Sequence, residues 1–94
     1  MYEHILRQMR EKIRTRQYVM TLHAEDEMND DSLTIFDVER AVLTGIVDER
    51  QENHVSGEWK YVIAGESIDG RSVAVVGKLT ITRKLVILTV YRDE

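Results

Sequence analysis

The chain has no cysteine. That excludes a disulfide scaffold, a thiolate metal site and a thiol nucleophile, and it fits a reducing compartment. No apolar run approaches the roughly 18 residues that cross a bilayer as a helix. The N-terminal stretch Met1-Tyr-Glu-His-Ile-Leu-Arg7 runs into charge instead of an apolar core. This predicts no signal peptide, no membrane partner and a cytoplasmic location. Gly45, Gly57, Gly65, Gly70 and Gly77 show neither dinucleotide-binding nor phosphate-loop spacing. His4, His23 and His54 lack the paired spacing of a zinc site. The acids between Glu25 and Asp31 lack the ordered alternation of a calcium loop and read as a solvated face. No nucleophile elbow occurs. Neither a metal nor a cofactor is expected.

What is present is a globular balance. Hydrophobic residues make up 43% of the 94 residues and charged residues 32%, which fits one domain with a single core over 1–94. The net charge of −4 is unevenly spread. Residues 1–17 carry Arg7, Arg10, Lys12, Arg14 and Arg16 against Glu3 and Glu11. Residues 18–58 carry eleven acids against Arg40 and Arg50, and residues 59–94 are mildly basic again. The overall acidity argues against a general nucleic-acid coat. The two basic ends either converge on one patch or form a solvated surface of mixed charge, and the sequence leaves both open.

Periodicity places helices first and strands afterwards. Tyr2, Ile5, Leu6, Met9 and Ile13 recur at helical spacing, predicting a helix over 2–15. Residues 18–20 read as an extended link or an edge strand. Thr21 can cap a helix through about residue 29. Thr34 and Asp37 have the spacing of a capping box, with Leu33 and Val38 as its hydrophobic staple, and predict a helix over 35–44. Gly45 marks its stop, and its replacement by valine should hurt as much as loss of the cap if the backbone there is left-handed. From Ile46 the period changes to two, with strands expected over 46–52, 58–66, 71–80 and 85–92. Asp69-Gly70 suits a tight hairpin. In the last strand, alternation puts Leu85, Ile87, Thr89 and Tyr91 on one face and Val86, Leu88, Val90 and Arg92 on the other. The fold class expected is α+β, with N-terminal helices on one face of a four-stranded antiparallel sheet.

The segment Leu22-His-Ala-Glu-Asp-Glu-Met28 resembles the His-Ala-x-x-x-Met helix of the domain-of-unknown-function family 4258. Gly45-Ile-Val47, Tyr61-Val-Ile-Ala-Gly65, Arg71-Ser-Val-Ala-Val-Val76 and Val86-Ile-Leu-Thr-Val-Tyr91 agree with it in order and spacing. The resemblance covers about residues 18–92. It implies a fold of the RelE and barnase ribonuclease kind. It also implies a metal-independent endoribonuclease, acting as the toxin of a bacterial toxin–antitoxin pair. The family commonly has a basic residue where this chain has Glu27, so no phosphate-binding role carries over to that position.

Metal-free RNA cleavage needs a base for the 2′-hydroxyl proton, a cation for the charged phosphorane and an acid for the leaving oxygen. His23, in the first turn of the second helix, can be the base, or it can tie the helix start structurally. Glu27 lies four residues on, on the same helical face. Lys60 and Arg71 are strand-borne cations that can hold a phosphate or simply blunt a sheet edge. Tyr91 can donate a proton or stack on a base. Thr89, Lys84 and Arg92 can bind phosphate oxygens. The catalytic candidates are therefore His23, Lys60, Arg71 and Tyr91, with Thr89, Lys84 and Arg92 as RNA contacts. They should converge in space if the chain is a ribonuclease. The alternative is a non-catalytic interaction module on the same scaffold. The partners implied are an RNA substrate and an antitoxin protein or, for the module, a second copy of the chain.

Overall fold

The third helix, α3 (Ile35–Thr44), is specified by three neighbouring side chains. The Thr34 hydroxyl accepts a hydrogen bond from the Asp37 backbone N–H at 3.3 Å, and the Asp37 carboxylate accepts one from the Thr34 N–H at 2.8 Å. Each group satisfies a donor that a helix start leaves open. Leu33 and Val38 are both buried beside this box, as the staple requires. Thr34→Ala should therefore cost about 1–2 kcal/mol in urea unfolding. An unchanged midpoint would mean that water replaces the hydroxyl without loss.

A computed structural model describes residues 2–93. Among them lie α1 (Glu3–Arg14), β1 (Tyr18–Met20), α2 (Leu22–Asp30), α3, β2 (Ile46–Glu52), β3 (Trp59–Glu66), β4 (Ser72–Leu79) and β5 (Leu85–Arg92). The strands form one sheet in the order β1-β5-β4-β3-β2. The run from β2 to β5 is an antiparallel meander, as its short turns predict. The sheet nevertheless has five strands, not four, and is mixed. Tyr18, Val19 and Met20 pair in parallel with Leu85, Val86 and Ile87. Three residues carry too little pattern to reveal a partner so distant in sequence.

All three helices cover one face of the sheet. Leu6, Met9 and Ile13 of α1, Ala24 of α2, and Val38, Ala41 and Val42 of α3 share a core with Tyr61, Ile63, Val73, Val75, Leu85, Ile87 and Val90. The other face carries a smaller strip of Val62, Ala74 and Val76, with Leu88 against it. No helical residue contributes to that strip, so this side of the sheet is uncovered.

One expectation needs correction, and one condition is not met. In β5 the partner of Val76 is Thr89 and that of Gly77 is Ile87, so Leu88 is a bulge. A bulge shifts the alternation by one residue. Val90 therefore joins Leu85 and Ile87 in the core, while Thr89 and Tyr91 turn to the uncovered face opposite Val76 and Ala74. Gly45 has φ −87°, not a left-handed backbone. Its glycine is needed for space: a methyl there would lie 2.6 Å from the Ala41 carbonyl oxygen and 2.7 Å from that of Ala64. Arg10 of α1 completes the end of α3, donating to the carbonyls of Val42 at 3.2 Å and Gly45 at 2.8 Å.

Candidate functional site

Strand parity decides what the uncovered face presents. On β3, Tyr61 and Ile63 point into the core, so Lys60 and Val62 point away from it. On β4, Val73 and Val75 are core, which sends Ala74, Val76 and Lys78 outward. Tyr61 pairs with Gly77, so Lys60 and Lys78 flank that pair on neighbouring strands. Cross-strand neighbours of this kind stand about 5 Å apart at Cβ. Two like charges so placed repel, and Glu58 offsets one of them: Lys78 Nζ lies 3.1 Å from Glu58 Oε1. Lys60, Lys78, Glu58, Asn53, Trp59 and Leu88 line an open depression of about 270 Å³. Trp59 shares the parity of Tyr61, so its ring lies on the helix side of β3, where the Arg50 guanidinium sits 3.9 Å from the ring centroid. Thr89 and Tyr91 lie farther along the same face on β5.

The remaining sequence candidates lie elsewhere. His23 is on α2 beside the outer edge of β5. Its Nε2 lies 3.2 Å from Glu27 Oε1, and its side chain is 70% exposed. The same Glu27 oxygen accepts a hydrogen bond from Val90 N at 3.2 Å, and one turn later Asp31 Oδ2 accepts from Arg92 N at 3.0 Å. Together the two acids close backbone donors of β5 beyond the point where β1 stops, so Glu27 has a structural task in place of a basic residue. Strands β4 and β5 separate His23 from Lys60.

Arg71 stands at the opposite end of β4 from Lys78, seven residues of extended chain or roughly 23 Å away. It donates from Nε to Asp69 Oδ1 at 3.0 Å and from Nη2 to the Ser32 carbonyl at 3.4 Å, and it lies 4.0 Å from Asp37. These contacts tie the β3–β4 turn to the start of α3. Arg92 ends β5 at this same end, opposite Val73. Lys84 lies in the β4–β5 turn, at the end of the sheet that also holds Lys60 and Lys78. The structure thus brings Lys60, Thr89 and Tyr91 onto one face. It does not bring His23 or Arg71 to Lys60, and the predicted convergence of all four catalytic candidates does not occur.

Two members of the depression, Lys78 and Glu58, were missed by sequence reasoning. Lys78 was legible in principle, because it shares parity with Ala74 and Val76 on a strand whose other face is valine. Glu58 opens the strand expected over 58–66 and shares the parity of Lys60, although the observed β3 begins one residue later, at Trp59.

A second depression, of about 550 Å³, lies beside β1 and is lined by Arg16, Tyr18, Met20, Glu25, Asn29 and Ile35 among others. The Tyr18 hydroxyl donates to Glu39 Oε2 at 2.5 Å. Burial first, and the adjacent carboxylate second, push the Tyr18 hydroxyl up to about 12. It is a fixed donor at neutral pH.

The family model of a domain of unknown function, DUF4258, matches residues 20–92. The chain belongs to this family. The match begins at the last residue of β1 and ends at the last residue of β5, so it takes in β2 to β5, α2 and α3, and leaves out α1 and most of β1. No curated protein and no solved structure matches the chain. No helix among the described residues of this DUF4258 chain is long and apolar enough to cross a membrane.

Proposed function

We propose that this DUF4258 chain is a small metal-independent endoribonuclease, the toxin of a toxin–antitoxin pair, acting on RNA at the uncovered face of its sheet. One observation carries the reading: Lys60, Lys78 and Glu58 share an open depression on a face that no helix covers. Two ammonium groups there supply the positive charge that a phosphorane requires. Glu58 supplies a carboxylate to take the 2′-hydroxyl proton. The 2′-oxygen bonds to phosphorus, the bond from phosphorus to the 5′-oxygen breaks, and Lys60 gives that oxygen a proton. The products are a 2′,3′-cyclic phosphate and a 5′-hydroxyl, with both side chains restored through solvent. Thr89 and Tyr91 extend the contact surface along β5. The likeness of the DUF4258 family to RelE-type toxins supports the same reading, with a cytoplasmic location and an antitoxin protein as partner.

A second reading is a non-catalytic interaction module. It is favoured by the way His23 and Arg71 are engaged by Glu27, Asp69 and Asp37 away from the lysines.

Incubation of labelled single-stranded RNA with purified protein, with and without chelator, separates the two. Cleavage should occur in both conditions. Lys60→Ala and Glu58→Gln should each lower the rate about 10²-fold or more, with unchanged urea midpoints. His23→Ala should leave the rate near that of the unaltered protein. Intact RNA, or full activity in Lys60→Ala, would remove the ribonuclease reading in favour of the interaction module.

A further inference from the structure

The two basic ends of the chain do converge. Lys12 and Arg16, within and after α1, meet Arg83 and Lys84 of the β4–β5 turn around one open cleft of about 460 Å³ beside Tyr18. Among the described residues, no carboxylate lines this cleft. Arg16, Arg83 and Lys84 are exposed and form no ion pair among the described residues.

The backbone beneath them is pinned. Gln17 N–H bonds the Lys12 carbonyl at 2.9 Å, and the Gln17 carbonyl accepts from Leu85 N at 3.4 Å. Across the cleft, Arg83 N–H bonds the Thr80 carbonyl at 2.8 Å, and Lys84 N–H bonds the Thr80 hydroxyl at 3.0 Å. Arg16 and Arg83 have φ of 57° and 63°, a conformation that costs a side-chain-bearing residue about 1 kcal/mol or more. Two tight turns therefore hold four like charges together in a chain of net charge −4. Their mutual repulsion brings the fold no gain of its own, and a polyanion would reverse its sign.

Position along the sheet says which polyanion. The cleft lies at the end of the sheet where β1, β3 and β5 begin and β4 ends, which is also the end that holds Lys60 and Lys78. From the start of β1 to the start of β3 is three strand spacings, roughly 14 Å. Arg16, Lys84, Lys78 and Lys60 thus follow one another across the strand order β1-β5-β4-β3.

We infer that this cleft binds the phosphodiester backbone of single-stranded RNA and leads the strand across the end of the sheet to the Lys60 depression. The inference rests on the ribonuclease reading for its ligand. It adds a second contact area and makes the substrate an RNA several nucleotides long.

The test is binding, kept apart from cleavage. A labelled, fully 2′-O-methylated RNA of about 12 nucleotides cannot be cut by 2′-oxygen attack, and its anisotropy is followed from about 50 to 200 mM salt. Arg83→Asn/Lys84→Gln removes two charges from an exposed turn. It should flatten the slope of log affinity against log salt by about 1.4, the effect of two phosphate contacts on a single strand. Arg16→Asn, on the opposite wall, should flatten it by about 0.7. A changed slope supports the cleft even if the protein cuts no RNA, which would sink only the ribonuclease reading. Unchanged slopes in both variants overturn the cleft while leaving a positive cleavage assay intact. Failure of the unaltered protein to bind RNA, with cleft-dependent binding of polyglutamate, overturns it in favour of an acidic protein partner.

Discussion

Gly65→Ala should lower the stability of the domain by about 3 kcal/mol, the upper part of the range for overpacking a core. Gly65 lies in β3, directly beneath α3. A methyl group built there runs into the carbonyl oxygen of Ala41 and comes within 2.7 Å of its carbonyl carbon. Both are backbone atoms, which cannot rotate aside as a side-chain end can. Ala41 is itself fully buried, and Gly45 approaches the same carbonyl. The three small residues together let α3 lie close on the sheet. Relief would require the helix to lift away, opening space above Ile63 and Val73, which lie in the same core. The substitution also stiffens the unfolded chain, a gain of only about 0.4–1 kcal/mol, so the clash decides the sign. For a domain of this size the melting temperature should fall by about 15 °C. Gly57→Ala is the comparison. Gly57 has φ 73° but nothing within 4 Å of a new methyl, so only the left-handed backbone cost of about 1 kcal/mol applies. Equal losses in the two variants would show that α3 shifts freely and that its close approach is not required.

The same contact shows which parts of the fold were legible. The capping box of α3 is written in residues three apart, so it can be found without knowing the tertiary structure. The alternation of β3 and β4 likewise placed Lys60 opposite the core. What failed was long-range or irregular. The bulge at Leu88 ends an unbroken apolar run, Leu85 to Leu88, where either phase of alternation looks equally good. It moved Val90 inward and turned Thr89 and Tyr91 outward. The parallel pairing of β1 depends on a partner 67 residues away and on α2 being folded between them. Gly45 was recognised as a stop, but for a backbone reason; the space it leaves is visible only once Ala64 is placed beside it.

The candidate site divides along the same line. Residue chemistry singled out cations, and parity found the face that Lys60 occupies. Which cations are already engaged is a tertiary fact. Arg71 looks like Lys60 in sequence, yet it is surrounded by Asp37, Asp69 and the Ser32 carbonyl. Lys84 looks like a turn residue, yet it stands opposite Arg16 across a cleft lined by no acid among the described residues. Charge counts along the chain could show two basic ends but not that they meet.

Asp37→Ala should cost about 3 kcal/mol near neutral pH, and the loss should shrink in acid. Asp37 is 6% exposed and joins two parts of the fold. One oxygen accepts from the Thr34 N–H and hydroxyl, at 2.8 and 3.1 Å, and the other accepts from Ile68 N–H at 3.0 Å in the β3–β4 turn. Burial alone would raise the carboxyl. The Thr34 and Ile68 backbone donors, the Thr34 hydroxyl and the Arg71 charge outweigh it, and the group is held below its usual range. Alanine leaves these donors without their charged acceptor, and hydrogen bonds to a charged group are worth about 1.5–3 kcal/mol each. Water can reach some of them at the turn, which keeps the total near the value of one or two such bonds. The pH dependence follows from the depressed value. Above the unfolded carboxyl value, near 4, both states are ionised and the full stabilisation is present. As pH falls below it, the unfolded chain takes up the proton first, and the contribution is lost through the lower folded value. Asp69 is shifted in the same direction by Ser67 and Arg71, so the variant retains some acid sensitivity. Urea unfolding of both proteins at pH 7 and near pH 2.5 gives the comparison. The gap between them should narrow at the lower pH. A gap that stays constant would mean that the carboxylate's charge contributes nothing, and that Asp37 holds the turn to α3 by shape alone.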